Sequence, residues 1–169
     1  MAGVGDAGVL ENPSVVRVAA ALRAAGLESP IVALPGAAHT ARLAAQFLGC
    51  ELGQIANSLV FRAKPSDAAI LVMSSGAKRV DMAKLAAVVG EEIGKADAEF
   101  VRAATGLAIG GVAPVGHTGQ LRTFVERSLA TWPEIWAAAG HPNTVFRLTY
   151  PDLVRITGGR EVDIAESPR

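Results

Sequence analysis

A glycine-rich segment from Gly110 to Gly116, followed directly by His117, is the part of the sequence best suited to bind a ligand through its main chain. Glycines allow the backbone to approach a ligand closely and to turn its N–H groups towards it. Such N–H groups can hold a carbonyl or a developing oxyanion. A tight turn between a helix and a strand explains the same glycines and proline without any ligand. Composition alone favours the turn, so the choice depends on other segments.

The same segment has the spacing of a phosphate-binding P-loop over residues 111–118. His117 stands where a P-loop has the lysine that meets the β- and γ-phosphates. Pro114 also removes one of the N–H donors that a phosphate cradle needs. A helical pattern, rather than a strand, precedes the segment. These differences exclude nucleotide binding by a P-loop.

The other reactive side chains do not form a known catalytic or metal-binding motif. His39, His117 and His141 are far apart in sequence, and Cys50 is the only cysteine. A transition-metal site needs several such ligands to converge. A Gly-x-Ser-x-Gly nucleophile elbow is absent from the sequence. The residues therefore predict neither a metal site nor a serine hydrolase.

The length and the net charge of the chain indicate a single domain that does not bind long stretches of nucleic acid. The 169 residues, half of them apolar, suit one domain with one core. The 16 basic and 16 acidic residues give a formal net charge of zero. Proteins that bind long stretches of phosphate backbone are usually basic. DNA binding is therefore not expected, whereas contact with one end of a nucleic acid needs only a local basic patch.

Nothing in the sequence predicts export or membrane insertion. Residues 1–10 contain an aspartate but neither lysine nor arginine, unlike the start of a signal peptide. The longest clearly apolar run, Ala68 to Met73, is far too short to span a membrane. We therefore expect a cytoplasmic protein without membrane association.

Residues 1–11 are predicted to be a flexible leader, and residues 12–165 a single domain. Four N-cap residues, each followed by apolar residues at helical spacing and closed by a glycine, predict four helices. The N-caps are Asn12, Thr40, Asp81 and Asp97, and the closing glycines are Gly26, Gly49, Gly90 and Gly106.

The remaining elements predict a mixed sheet. Lys64-Pro65-Ser66-Asp67 is a turn signal between two apolar segments and predicts a β-hairpin. Thr131 and Glu134 have the spacing of a capping box and predict a short helix that ends at Gly140. Because strands and helices interleave irregularly, a mixed sheet is favoured over a parallel one. The predicted strands are Ile31–Leu34, Ile55–Arg62, Ala68–Met73, Arg122–Glu126, Thr144–Leu148 and Glu161–Ile164, and a last short helix is predicted over Pro151–Ile156.

Several of these segments, in the same order, resemble the YbaK/EbsC family of prolyl-tRNA editing domains. Gln54–Phe61 resembles the strand that carries the family's functional lysine, and Arg79–Leu85 resembles its basic-Asp-x-x-Lys-Leu helix start. Gly106 and the loop from Gly110 to Gly116 resemble its Gly-x-x-x-Gly-x-Val-Ser/Thr-Pro-x-Gly motif. The ordered set is more specific than any single motif.

Both ends of the domain extend the resemblance. His39-Thr40 and the helix that follows match an earlier helix of the family, and Phe124–Ile164 is similar to the family's C-terminal run. The resemblance therefore spans residues 12–165. It implies an α+β fold of one domain, in which helices surround a mixed, curved and barrel-like sheet.

The resemblance also implies an activity. Members of the family are cytoplasmic enzymes that act in trans and hydrolyse the ester of a mischarged aminoacyl-tRNA, which they hold by its acceptor end. Water or a group of the substrate itself supplies the nucleophile, so neither a metal nor an organic cofactor is expected. The resemblance leaves open whether the chain is a monomer or a homodimer.

The family pattern assigns site residues, with two departures. Asn57 occupies the position of the family's lysine, and Ala113 that of the Ser/Thr before the loop proline. An amide can hydrogen-bond a carbonyl but cannot neutralise a phosphate. Either specificity is altered, or the chain is a noncatalytic binding module for aminoacyl-tRNA or an aminoacyl-adenosine. The implied catalytic residues are Asn57, Gly110, Gly111 and His117, and the implied substrate-binding residues are Ala113, Pro114, Gly116, Ser58, His39, Thr40 and Arg79.

Simpler structural roles remain open for some of these residues. Asn57 could be a core amide, and Ser58 points to the opposite face of a regular strand. His117 could be a surface turn residue or could shuttle a proton near neutral pH. Arg79 fits a solvated basic pair as well as it fits a contact with tRNA. Trp132 and Trp136 are interpreted as core residues rather than as a base-stacking platform.

Overall fold

The computed structural model describes residues 8–167. Residues 1–7 of the predicted leader lie outside this range, and residues 8–10 are helical. The predicted domain boundaries at residues 12 and 165 stay predictions.

Five helices begin at polar N-caps, and four of these N-caps are the ones that the sequence predicts. In the first, the side chain of Asn12 accepts a hydrogen bond from the Ser14 N–H at 2.9 Å, and Pro13 occupies the first turn. Thr149 caps the fifth helix. The helices are α1 Pro13–Ala24, α2 Ala41–Leu48, α3 Met82–Val89, α4 Ala98–Thr105 and α5 Tyr150–Thr157, with 3₁₀ turns at Leu52–Gln54 and Arg127–Thr131.

Within residues 8–167, eight strands form one mixed sheet. The order is β1-β7-β6-β2-β3-β5-β8, and β4 pairs with β2 beyond the short β2–β6 contact. The strands are β1 Val32–Ala33, β2 Ile55–Lys64, β3 Ala69–Ser75, β4 Glu92–Lys95, β5 Arg122–Glu126, β6 Ile135–Ala138, β7 Thr144–Leu148 and β8 Arg160–Val162. The fold is α+β, as predicted. Within the described residues the sheet is open between β1 and β8 and does not close into a barrel.

The centre of the sheet is the predicted hairpin of β2 and β3. These strands pair antiparallel without interruption from Ala56–Ser75 to Arg62–Ala69. Every residue of β3 is buried, because strands and helices cover both of its faces. The hairpin is therefore a fixed frame on which the shorter strands are placed.

The capping-box prediction at Thr131 and Glu134 is wrong. Ile135–Ala138 is a strand, β6, which pairs antiparallel with β7 and briefly parallel with β2. Ile135 and Ala137 are buried while Trp136 is half-buried, the alternation of a strand. Pairing with two neighbouring strands outweighs the local helix signal. Strand β4 was not predicted at all, because one glutamate, one glycine and one lysine among its four residues leave little apolar alternation.

Helices cover the two faces of the sheet separately. On one face, buried side chains of α1, α4 and α5 pack against Leu71 and Met73 of β3. On the other, α3 packs against Ile70 and Val72. Helix α2 lies over Ile55 and Trp136, where β2 and β6 meet. Among the described residues, no helix is long and apolar enough to cross a membrane.

Candidate functional site

A cleft of about 260 Å³ opens where β2 separates from β6. Four stretches of chain that are distant in sequence form its walls: the start of α2, the middle of β2, the glycine-rich loop and the β6–β7 hairpin. Its lining residues are Ala38, His39, Thr40, Ala41, Ala44, Ile55, Ala56, Asn57, Ser58, Leu59, Ile109, Gly110, Val112, Trp136, Ala137, Ala138, Pro142, Thr144 and Val145. The walls are thus mainly small and apolar, with a few polar groups between them.

Asn57 lines the cleft from the middle of β2. It lies directly opposite Ser74 in the hairpin, so the two side chains share a face with Cβ atoms about 5 Å apart. Ser74 is buried, and its Oγ has no hydrogen-bond partner among the residues that the structure describes. A buried hydroxyl without a partner costs free energy. Asn57 thus lies beside a buried hydroxyl, and the two side chains are not hydrogen-bonded to each other.

Ser58 also lines the cleft, although its side chain turns away from Asn57. Its Oγ donates to the thioether sulfur of Met73 at 3.4 Å, on the face covered by α1. The prediction that the two side chains lie on opposite faces therefore agrees with the geometry. Ser58 therefore contributes main-chain atoms, and not its hydroxyl, to the cleft wall.

Gly110 brings the glycine-rich loop into the cleft. Its φ of 90° lies in the left-handed region, which favours glycine. The next residue, Gly111, donates its N–H to the Ala108 carbonyl at 3.0 Å. The Gly110 N–H, by contrast, has no acceptor among the described residues.

The rest of the loop supports Gly110 from behind. Gly111 packs so tightly that an added Cβ would lie 2.7 Å from the Cα of His141. Ala113 is fully buried in the core, and Pro114 is buried as well, so neither lines the cleft. The departure from the family at Ala113 therefore changes the packing behind the loop and leaves the cleft surface unchanged.

Arg17 of α1, which the sequence analysis did not single out, holds both ends of the loop. Its Nε donates to the Gly116 carbonyl at 2.9 Å, and a terminal guanidinium nitrogen donates to the Gly106 carbonyl at 3.0 Å. Gly116 rests against Val18 of the same helix. The contacts cross 99 and 89 residues of chain, so no local pattern could reveal them.

His39 and Thr40 enter the cleft at the start of α2. The Thr40 Oγ1 accepts from the Leu43 N–H at 3.1 Å and caps the helix. His39 is exposed, and its Nδ1 would lie 3.7 Å from a Cβ on Gly110. His39 is the one histidine among the lining residues, and none of them is Asp, Glu, Lys or Arg.

His117 does not line the cleft. It lies behind the loop, where its Nε2 donates to the Ala113 carbonyl at 2.7 Å, which places the proton of the neutral ring on Nε2. Burial lowers the pKa of His117 below its ordinary value of 6.5, and the nearby Arg17 cation lowers it further, against the raising effect of the Ala113 carbonyl. The structure therefore gives His117 a supporting position.

We expect the low pKa of His117 to make stability pH-dependent. A base whose pKa is lower in the folded chain binds protons more readily when unfolded, so the free energy of unfolding falls as pH decreases from 6.5 towards the folded-state pKa. Urea unfolding at pH 7.5 and 5.0 should show this loss in the wild type and a smaller loss in His117→Gln. Equal losses in both proteins would contradict the assignment.

Arg79 and Trp132 lie away from the cleft, whereas Trp136 lies on its wall. Arg79 is exposed, and its carbonyl accepts from the Glu166 N–H at 2.8 Å near the C-terminus. Trp132 packs over Gly53. Trp136, which the sequence analysis interpreted as a core residue, presents part of its ring to the cleft beneath Arg147, 5.9 Å from the ring centre.

The family of the chain follows from a comparison with known domains. The family described as the aminoacyl-tRNA editing domain matches residues 36–156, more than half of the chain. The chain belongs to the aminoacyl-tRNA editing domain family. This match includes α2, the whole β2–β3 hairpin and the glycine-rich loop, so every wall of the cleft lies inside the editing domain. Helix α1, which carries Arg17, lies outside it.

Solved structures share the whole fold of this editing domain. A candidate trans-editing enzyme for prolyl-tRNA synthetase is 41% identical, with a TM-score of 0.86 and coverage of 92% of this chain and 99% of that chain. The hypothetical protein APE2540 is 25% identical, with a TM-score of 0.82 and coverage of 89% and 99%. The uncharacterized protein YwhH of Bacillus subtilis (strain 168) is 29% identical over 126 residues, which are 75% of this chain and 80% of YwhH.

Residues 8–167 contain no group of three or more His, Cys, Asp or Glu side chains that could hold a metal ion. The polar groups of the editing-domain cleft are instead main-chain N–H and C=O groups, the Asn57 amide, two hydroxyls and the His39 imidazole. Such a set can bind and orient a neutral ester.

Proposed function

We propose that this protein is a trans-acting aminoacyl-tRNA deacylase that hydrolyses the ester of a mischarged tRNA. One observation carries the proposal. The cleft brings together Asn57, Gly110 and His39, which come from three distant segments, in a pocket of about 260 Å³ inside the editing-domain match. A volume of this size holds an aminoacyl group but not a folded nucleic acid.

The free N–H of Gly110 suits the ester carbonyl. In hydrolysis, water adds to the carbonyl carbon, the bond to the ribose oxygen breaks, and that oxygen takes up a proton. Negative charge develops on the carbonyl oxygen in between, and a fixed N–H donor stabilises it. Asn57, held in place on the central hairpin opposite Ser74, orients the ester through its amide.

His39 is suited to move the protons. It is exposed at the cleft and lies close to Gly110, and an imidazole can act as a general acid or base. The nucleophile is water, which a ribose hydroxyl of the substrate can orient, because the cleft contains neither a cysteine nor a carboxylate. His117 acts from behind the loop by holding the Ala113 carbonyl.

The terminal adenosine is expected to lie on Trp136. Bases stack on aromatic rings without regard to sequence, and the half-buried indole forms part of the cleft wall. Because Asp, Glu, Lys and Arg are absent from the lining, the phosphates of the acceptor end remain outside the cleft. The protein then holds tRNA by its aminoacylated end, in the cytoplasm where charged tRNA is used.

A panel of mischarged tRNAs tests the proposal. Each tRNA is incubated with the protein, and the loss of the labelled amino acid is compared with its loss in buffer. We expect at least one to be deacylated faster than in buffer. No acceleration with any of them overturns the proposed activity. Saturable binding of aminoacyl-tRNA without turnover would instead establish the second candidate, a noncatalytic binding module, which the neutral Asn57 in the family's lysine position favours.

Substitution of Asn57 should change activity. Asn57→Ala is expected to lower kcat/KM about tenfold, because a lost hydrogen bond to a polar group costs about 1–1.5 kcal/mol. Asn57→Lys adds a cation and should change the ranking of amino acids within the panel. Gln46→Ala, an exposed amide on α2, serves as the matched control and should leave the rates unchanged. If all three variants behave alike, Asn57 is not part of the site.

A further inference from the structure

Strand β2 is bonded to β3 through alternate residues. The Gly76 N–H donates to the Ile55 carbonyl at 2.8 Å, and the Ala63 N–H donates to the Ala68 carbonyl at 2.9 Å. The register between these two contacts is continuous. In an antiparallel pair the hydrogen-bonded residues alternate with residues whose N–H and C=O point the other way. The odd-numbered residues of β2 therefore bond to β3, and the even-numbered ones point to its other edge.

That other edge is only partly paired. Ala56 meets β6, and Arg62 and Lys64 meet β4. Ser58 falls in the interval between Ala56, the last residue of the β6 register, and Phe61, the first of the β4 register, and its N–H and C=O groups point into this gap. Backbone polar groups in such a position require water or a ligand. The interval is a notch in the sheet at Ser58.

Ser58 places one end of this notch in the cleft. It lines the cleft, but its side chain is directed to Met73 on the other side of the strand. The main-chain N–H and C=O of Ser58 are therefore a donor and an acceptor at the cleft wall. Gly110 contributes its own unpartnered N–H to the same cleft.

An aminoacyl ester has the matching groups. Its α-nitrogen and its carbonyl oxygen are separated by Cα, as are the N–H and C=O of one residue in a strand. Two residues opposite each other in a hydrogen-bonded antiparallel pair exchange both bonds. No carboxylate lines the cleft, so a main-chain carbonyl is the natural acceptor for the α-ammonium group.

We propose that the aminoacyl group binds as one added strand residue on the Ser58 edge of β2. The Ser58 carbonyl accepts from the α-ammonium group, and the Ser58 N–H donates to the ester carbonyl oxygen. That oxygen has a second lone pair, which faces the Gly110 N–H. This inference rests on the proposed deacylase function. The contacts select for an α-amino group and are independent of the amino-acid side chain.

Two substitutions at Ser58 separate its main chain from its side chain. Ser58→Pro removes the N–H at an edge position, where proline is tolerated and the bonds to β3 are kept. Ser58→Ala keeps the main chain and loses only the contact with Met73. We expect Ser58→Pro to lower kcat/KM at least about tenfold, the effect of one lost hydrogen bond to the reacting carbonyl. Ser58→Ala should lose clearly less activity than Ser58→Pro, since its main-chain groups are intact.

A change in the substrate gives a second measurement that needs no variant. The wild-type protein is assayed with one tRNA that carries the same acyl group with and without its α-amino group, and each rate is divided by the rate in buffer. We expect the acceleration to fall at least about tenfold without the ammonium group, because its charged hydrogen bond is lost.

The outcomes are distinct. Equal acceleration of the two substrates overturns the strand-edge inference and leaves the deacylase function in place. Equal activity of folded Ser58→Pro and Ser58→Ala overturns it in the same way. If thermal unfolding shows that Ser58→Pro is not folded, the substrate comparison decides. Absence of deacylation of any mischarged tRNA removes the proposed function and this inference with it.

Discussion

Gly111→Ala is expected to cost both activity and stability. The new Cβ would lie 2.7 Å from the Cα and 2.8 Å from the backbone nitrogen of His141. Backbone atoms cannot rotate away, so the glycine-rich loop or the β6–β7 hairpin must shift. Overpacking of this kind costs about 1–3 kcal/mol of unfolding free energy. A shift of about 1 Å at Gly110 lowers catalysis about 100-fold.

Gly94→Ala is the matched control for Gly111→Ala. Gly94 lies on β4, and a Cβ there would meet no atom within 4 Å. Alanine is expected to be neutral or to stabilise that strand slightly, since glycine loses more conformational entropy on folding. Urea unfolding and a deacylation assay measure both effects. If Gly111→Ala matches Gly94→Ala in both, the loop does not depend on its contact with His141.

Arg17→Ala is expected to release the loop at both ends. The side chain donates to the carbonyls of Gly116 and Gly106, which flank the loop. Hydrogen bonds from a charged group contribute about 1.5–3 kcal/mol each. Because both bonds are only partly buried, we expect the free energy of unfolding to fall by about 3 kcal/mol, the lower end for two bonds. Deacylation should fall as well, because Gly110 is no longer fixed. The lysine of Arg17→Lys has only one donor nitrogen, so the unfolding free energy and the deacylation rate of this variant should lie between those of the wild type and Arg17→Ala.

Arg23→Ala controls for the loss of a positive charge on the same helix. Arg23 is exposed in the last turn of α1 and lies away from the loop. We expect near wild-type unfolding in urea and near wild-type rates. A loss in Arg17→Ala no greater than in Arg23→Ala would show that the two carbonyl contacts contribute little in solution.

The helices could be predicted from sequence because their signals are local. Asn12, Thr40, Asp81 and Asp97 cap helices in the structure as predicted, since each cap bonds to an N–H two or three residues away. The central hairpin was predicted for the same reason, from the turn between its strands. The element at residues 135–138 could not be predicted, because its two strand partners come from distant parts of the chain.

The lining of the cleft was predicted in part, through the ordered family segments. Asn57, Ser58, Gly110, His39 and Thr40 line one cleft. His117 follows the loop in sequence but folds behind it. The hydrogen bonds of Arg17 to the loop and the notch at Ser58 both depend on contacts between segments that are distant in sequence. Neither leaves a local pattern in the sequence.

The attachment of the loop through main-chain carbonyls has a consequence for how such domains diverge. Arg17 donates hydrogen bonds to main-chain carbonyl oxygens, which every residue type has. The side chain of Ala113 is buried away from the cleft. Exchange of the Ala113 side chain can therefore leave the attachment of the loop to Arg17 unchanged. Motif definitions that insist on Ser or Thr at this position will overlook relatives that retain the same pocket.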